Sequence, residues 1–260
     1  MRLRLKVAAI FVMLAAAGCP DRCGNVSIPF PFGTAEGCYL DDDSYDSFII
    51  NCSRTPAGDT VPFWGLNSTA VFIFHYCYAQ NGTIVSSNDP WIRLYNKWRV
   101  SNTANKFVVV GCDTTGSIYG QRLDDRFYKI GCTAMCGGED DVEKGSCSGL
   151  GCCQTSIPKH VNKVDISLES NHNYTRRAMP ARRGALSSKV VKIIEENITN
   201  LRNVEMLPMV INWFVGEGNC REAKANSSAY ACKSVNSKCY EPDNGFGYRC
   251  NCAPGYQGNP

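Results

Sequence analysis

Histidine is scarce in this chain: His75, His160 and His172 are the three among 260 residues. His75 lies inside an apolar run and reads as a packed residue, while the other two sit in polar stretches. No G-x-S-x-G elbow and no H-E-x-x-H pair occurs, so the usual nucleophile and zinc-hydrolase layouts are missing. Asp41-Asp42-Asp43 and Glu139-Asp140-Asp141 read as solvated turns, and no metal or cofactor is expected. Paired carboxylates for glycoside hydrolysis are a matter of three-dimensional separation. With no other catalytic signature, the chain is expected not to be an enzyme.

Long hydrophobic runs are also lacking after residue 17, as are internal repeats and low-complexity tracts. Before that point, Arg2, Arg4 and Lys6 precede the apolar run Val7 to Ala17 and then Gly18. This is the layout of a cleaved secretory signal, and it is shorter than the roughly 20 residues a spanning helix needs. No membrane span is therefore expected in this chain. Charge of one sign is missing too. The formal charge is +3, and losing the three leader cations leaves 24 basic against 24 acidic residues. Nonspecific attraction to nucleic acid or anionic membrane is not expected.

Cysteine is what the chain has in quantity: sixteen, eleven of them from Cys19 to Cys153 and five from Cys220 to Cys252. Segments this small are stabilised by cross-links, which persist outside the reducing cytosol. A zinc pair at Cys132-x3-Cys136 is set aside on the same ground. Ala17-Gly18-Cys19 also fits a bacterial lipoprotein cut. Against it stand seven N-x-S/T sequons, at Asn25, Asn51, Asn67, Asn81, Asn173, Asn197 and Asn226, which favour a eukaryotic secretory glycoprotein. Eleven is odd, so the first cluster keeps one thiol free or pairs it elsewhere. Cys152 and Cys153 are adjacent, and disulfide geometry favours opposite directions and separate partners for them.

Short β-rich runs, at residues 48–50, 71–78, 91–100 and 107–110, are separated by turn signals such as Asn81-Gly82 and Asn88-Asp89-Pro90. The expected class is mainly β and disulfide-rich: a β-rich extracellular module followed by a small cysteine-rich module. The expected division is a signal peptide over 1–17, a β-rich module over 18–157, a cysteine-free linking subdomain over 158–215 and a small module over 216–260, which the resemblance below implies to be a partial EGF-like repeat. Within the third segment, Val190, Ile194, Ile198 and Leu201 have helical spacing.

Three stretches carry a resemblance. They are Cys19-Pro20-Asp21-Arg22-Cys23-Gly24-Asn25-Val26-Ser27-Ile28-Pro29-Phe30-Pro31-Phe32-Gly33, Ser101-x3-Asn105-Lys106-Phe107-Val108-Val109-Val110-Gly111-Cys112-Asp113, and Gly145 through Cys152-Cys153 to Pro158. In this order they resemble the extracellular region of plant wall-associated receptor kinases, with Phe30 where that family usually has Tyr. The resemblance implies a galacturonan-binding module with an EGF-like repeat, located in the cell wall or at the plasma membrane. For the repeat it implies Cys220–Cys239 and Cys232–Cys250, with Cys252 lacking a sixth cysteine. Gly216-Glu217-Gly218-Asn219 departs from the calcium-binding form of that repeat. No Gly-rich phosphate loop, V-A-I-K, H-R-D or D-F-G motif occurs, so kinase activity is not carried over.

A wall polyanion would need cations for its carboxylates and rings for its sugar faces. The run 91–100 interleaves both. As one extended strand it puts Trp91, Arg93, Tyr95, Lys97 and Arg99 on one face and Ile92, Leu94, Trp98 and Val100 on the other. Lys106 extends the stripe. Trp91, Leu94, Tyr95 and Trp98 also fit a helix started by Asp89-Pro90. Arg176, Arg177, Arg182 and Arg183 form a second cationic group in an expected loop. The expected partners are pectin or oligogalacturonides. The competing readings are a module or decoy that pairs with another receptor ectodomain, and a fragment of a full receptor.

Overall fold

Val164, Ile166 and Leu168 alternate with Lys163, Asp165, Ser167 and Glu169, and the segment forms a strand with the first set buried. This alternation is the period of a strand with one face buried, and the described part of the chain is strand-rich. The computed structural model describes residues 19–40, 48–56, 58–64, 73–78, 83–87, 91–94, 97–122, 125–142, 146–170, 181–187, 209–216, 218–243, 246–256 and 260. Side chains at 63–64, 73–78, 84–87, 139 and 181–187 lie outside the description. The possible helix near 190–201, Tyr95 and the sequons at Asn67, Asn81, Asn173 and Asn197 also fall outside it.

The strands are β1 (Arg22–Cys23), β2 (Val26–Ser27), β3 (Ile50–Arg54), β4 (Thr60–Trp64), β5 (Ile73–Tyr78), β6 (Ile84–Ser87), β7 (Trp91–Arg93), β8 (Trp98–Val100) and β9 (Lys106–Val110). They continue as β10 (Thr114–Gln121), β11 (Phe127–Ala134), β12 (Cys152–Ser156), β13 (Lys163–Glu169), β14 (Ala181–Ser187), β15 (Ile211–Trp213), β16 (Ser237–Tyr240) and β17 (Arg249–Cys252). A short helix, α1, spans Cys220–Ala225. The described chain divides into two units. One holds residues up to Ser68 with Cys220–Tyr240 and Tyr248–Pro260; the other holds Thr69–Asn219 with Glu241–Gly247.

In the first unit, β1 and β2 form a hairpin around Gly24, and β3 pairs with β4. Gly24 has φ +57, and a Cβ there would overlap the Thr60 carbonyl, so the turn requires glycine. Cys19–Cys38 and Cys23–Cys52 fasten this region over a small core of Cys23, Ile28 and Ile50 with Phe32 against it. The disulfide at Cys19 is not what a lipidated amino-terminal cysteine would form. The same unit holds α1 and the β16–β17 hairpin. Cys220–Cys239 and Cys232–Cys250, the two pairs implied by the resemblance, are both bridged. Tyr248 is buried, and its hydroxyl accepts the Ala231 N–H at 2.9 Å.

The second unit is built on two antiparallel sheets. One runs β11-β10-β13-β7 and the other β12-β9-β14-β5-β6. Ile92, Val164, Ile166, Leu168 and Ile118 are buried on one face of the first sheet, and Phe107 to Val110 are buried in the centre of the second. The two faces meet so closely at Gly116 that a Cβ there would overlap Val109 Cγ2 and stand 3.2 Å from Phe107 Cζ and Leu168 Cδ2. Cys132 of β11 bridges to Cys153 of β12, tying sheet to sheet. Cys152 instead bridges to Cys147, so the neighbouring half-cystines do take opposite directions and separate partners. Cys112–Cys136 completes the set. These bridges use ten of the first eleven cysteines; the eleventh, Cys77, lies in β5, whose side chains are not described.

Residues 158–215, expected as a separate linking subdomain, supply β13 and β14, interior strands of the two sheets. Arg182 and Arg183, expected in a loop, lie in β14 between β9 and β5.

Candidate functional site

The expected single strand over 91–100 is broken. β7 pairs with β13 in the four-stranded sheet, whereas β8 pairs with β15. Leu94, between them, is buried, its N–H donating to the Asn162 carbonyl at 2.7 Å. The helical alternative is excluded by the same strands. Ile92, Leu94, Trp98 and Val100 are all buried as alternation requires, but the outward stripe does not survive the break.

Arg99 is the clearest correction. It is 2 % exposed, and its guanidinium lies 5.4 Å from the Phe214 ring and 5.8 Å from the Phe246 ring. Nη1 donates to the Trp98 carbonyl, and Nε is buried without a hydrogen-bond partner. Burial lowers its pKa to about 10, because desolvation disfavours the charged form. Both sides of β8 are covered, so Arg99 faces rings instead of solvent. Lys97 occupies the turn before β8 and is half-buried. Lys106 begins β9 in the other sheet and donates to Ser156 Oγ at 2.8 Å. Among the described members of the stripe, only Trp91 and Arg93 stay together.

The motif Ser101-x3-Asn105 proves to be scaffold. Asn105 is fully buried. Its Nδ2 donates to the carbonyls of Ser101 at 2.8 Å and Val210 at 2.7 Å, and its Oδ1 accepts the Val210 N–H at 2.9 Å. One side chain thereby pairs with both backbone groups of Val210.

Trp91 and Arg93 find other companions across the four-stranded sheet. The register sets Trp91 opposite Asp165, Asp165 opposite Tyr119, and Tyr119 opposite Lys129. Directly opposed residues share a face, so these four form one row on the outward side. In the next row, Arg93 is opposite Lys163 and Gln121 is opposite Phe127, with Lys163 Nζ donating to Gln121 Oε1 at 3.0 Å. Trp91 is 62 % exposed, Tyr119 42 % and Phe127 82 %. Trp91 and Tyr119 stand roughly 10 Å apart, two strand spacings. The result is an aromatic platform carrying Arg93, Lys129 and Lys163, with Asp165 and Glu169 as its anions.

Arg93 is held in place. Its Nη2 is 2.6 Å from Asp165 Oδ1, its Nη1 donates to the carbonyls of Ile92 and Val164 at 3.0 Å each, and its guanidinium lies 5.4 Å from the Trp91 ring. From the inner side, Tyr128 spans Gly120 and donates to the Lys163 carbonyl at 2.7 Å. Burial, and then the Asp165 carboxylate, push the Tyr128 phenol well above its ordinary range, with Arg93 opposing. Sequence reasoning missed Tyr119, Phe127, Lys129, Lys163 and Asp165. The alternation in 163–169 would have found two of them. β10 and β11 carry glycines on both faces, which blurs theirs.

Cys132 and Cys136, weighed above as zinc ligands, are both in disulfides. Among the described residues, no group of three or more His, Cys, Asp or Glu side chains is arranged to hold a metal ion. His160 places its ring edge-on to Phe246 at 6.4 Å. Asp141 Oδ2 accepts the N–H groups of Gly137 and Gly138 at 2.8 and 3.1 Å, which closes a turn. No described helix is long and apolar enough to cross a membrane. The sequons at Asn25, Asn51 and Asn226 are all exposed.

A β-rich, disulfide-braced module followed by a cysteine hairpin paired first to third and second to fourth is the class these features define. The chain is a homologue of the wall-associated receptor kinases, matching them in a way that fits their extracellular region and not a kinase domain. It is similar to wall-associated receptor kinase 2 of Arabidopsis thaliana, 29% identical over 257 residues, covering 93% of this chain and 33% of that protein. It is likewise similar to wall-associated receptor kinases 3 and 5 of Arabidopsis thaliana, at 30% identity over 272 residues and 29% over 264. The chain spans about a third of the length of these relatives. No protein-family model matches it, and no solved structure does. The homology fits a receptor-derived, extracellular module.

Proposed function

We propose that this module binds pectic polymer or its oligomers in the cell wall without chemically changing them, through the outward face of the four-stranded sheet. Trp91, Tyr119 and Phe127 stack on sugar faces, and Arg93, Lys129 and Lys163 pair with uronate carboxylates. One observation carries the reading: the register gathers three exposed rings and three cations on one face, and none of the seven sequons falls in its four strands. Large exposed apolar groups clustered on one face mark an interaction site more than a scattered few do. Charge pairing at an exposed face is screened within about 10 Å at 0.1 M salt.

The test is retention of refolded, oxidised protein on pectate beads, with methyl-esterified pectin as the uncharged control. Binding that falls with salt, falls with esterification and drops several-fold in Trp91→Ala/Tyr119→Ala supports the reading. Equal affinity for the free and esterified polymers removes the charge mechanism. A second reading, docking to another receptor ectodomain, is favoured by Asp165 and Glu169 on the same face, since a partner protein offers both signs of charge. Capture by a receptor ectodomain together with indifference to pectate would select it.

A further inference from the structure

The centre of the platform holds an anion that a polyanion-binding face does not need. Asp165 stands between Trp91 and Tyr119 in their cross-strand row. Its Oδ1 takes Arg93 Nη2 at 2.6 Å, while Nη1 is committed to two backbone carbonyls. A ligand carboxylate is best held by two parallel guanidinium donors, and here the chain's own carboxylate occupies one of them. Both side chains are 31% exposed, so this ion pair is open to exchange with solvent and with solutes.

We infer that Asp165 is an internal competitor for the carboxylate subsite at Arg93. An incoming uronate either displaces it or binds beside a like charge. A single acid group gains little by that exchange. An oligomer engaging Lys129 and Lys163 at the same time converts it into an intramolecular step at high effective concentration. Asp165 thus sets how many consecutive acid groups a ligand must present. This inference rests on the polyanion reading of the face.

The experiment compares wild type, Asp165→Asn, Arg93→Gln and the double variant, all refolded from unglycosylated material because Asp165→Asn creates an Asn-Ile-Ser sequon, for binding of polygalacturonate and of monomeric galacturonate at about 0.05 M salt. Asp59→Asn, the same charge change on the other unit, controls for net charge. Asp165→Asn is expected to tighten polygalacturonate binding about threefold, the size an exposed ion pair carries, and to bring a proportionally larger gain for the monomer. The gain should vanish in the Arg93→Gln background, which loss of a merely structural contact would not cause. If wild type binds but Asp165→Asn binds no tighter, or the gain survives without Arg93, or Asp59→Asn reproduces it, the competition does not exist while the reading of the face stands. If neither wild type nor Asp165→Asn retains polygalacturonate, the reading falls and the inference with it.

Discussion

Replacing Asn105 by alanine should destabilise the two-sheet unit by about 2–4 kcal/mol. The side chain makes three hydrogen bonds, at 2.7, 2.8 and 2.9 Å, and each contributes about 0.5–1.5 kcal/mol net. Two of the affected groups keep other partners. The Val210 carbonyl still accepts the Ser101 N–H at 3.0 Å, and the Ser101 carbonyl accepts the backbone N–H of residue 105 at 3.4 Å. The Val210 N–H loses its acceptor, which pushes the cost toward the upper part of the range. Asn105→Asp sharpens the test at nearly constant size. Its carboxylate still accepts from Val210 but meets two carbonyls where the amide donated, so it should cost at least as much as alanine. Urea titration followed by tryptophan fluorescence is the assay, because Trp98 and Trp213 face each other across β8 and β15, next to the lost contact. A drop in midpoint at unchanged slope reports the stability change. Losses below about 1 kcal/mol for both variants would mean that the bonds to Val210 do not hold this corner.

Gly116→Ala should cost about 1–3 kcal/mol by overpacking against Val109, Phe107 and Leu168, and an unchanged midpoint would refute the close approach of the sheets. Removing the inter-sheet bridge in Cys132→Ser/Cys153→Ser opens a loop with a sequence separation of 21 and should lose about 3 kcal/mol, read in the same titration under oxidising conditions. Tyr128→Phe should lose about 1 kcal/mol by stranding the Lys163 carbonyl. Because its folded pKa is raised above the unfolded value of 10.0, wild-type stability from this group is present below pH 10 and declines as pH rises further. The phenol should therefore ionise late in an ultraviolet titration, and a titration in which all tyrosines ionise together near pH 10 would contradict its burial. Arg99→Met should leave pectate binding unchanged, since the guanidinium is sequestered by Phe214 and Phe246; a loss of salt-dependent binding in a folded variant would return Arg99 to the surface.

The mainly β class and the opposed directions of Cys152 and Cys153 were legible in the residues. So was the inward set Ile92, Leu94, Trp98 and Val100, because burial obeys a local rule whichever sheet a strand joins. The outward set failed at Arg99, since exposure depends on what arrives from elsewhere in the chain. Phe214 and Phe246 come from more than a hundred residues downstream, and nothing in the run 91–100 announces them. The platform was illegible for the same reason. Trp91 meets Tyr119 only through β13, and β13 was hidden in a segment read as a linker because it lacked cysteine. Register is a long-range property, and the alternation of Val164, Ile166 and Leu168 hints at a strand without naming its neighbours.

The adjacent half-cystines have a bearing on how the chain matures. Their sulfurs leave β12 on opposite sides, so swapping their partners would demand that the strand slide by one position against β9 and turn every side chain over. Oxidation at this spot is thereby tied to alignment: the two links found here suit the pairing of β12 with β9 and not the slipped one.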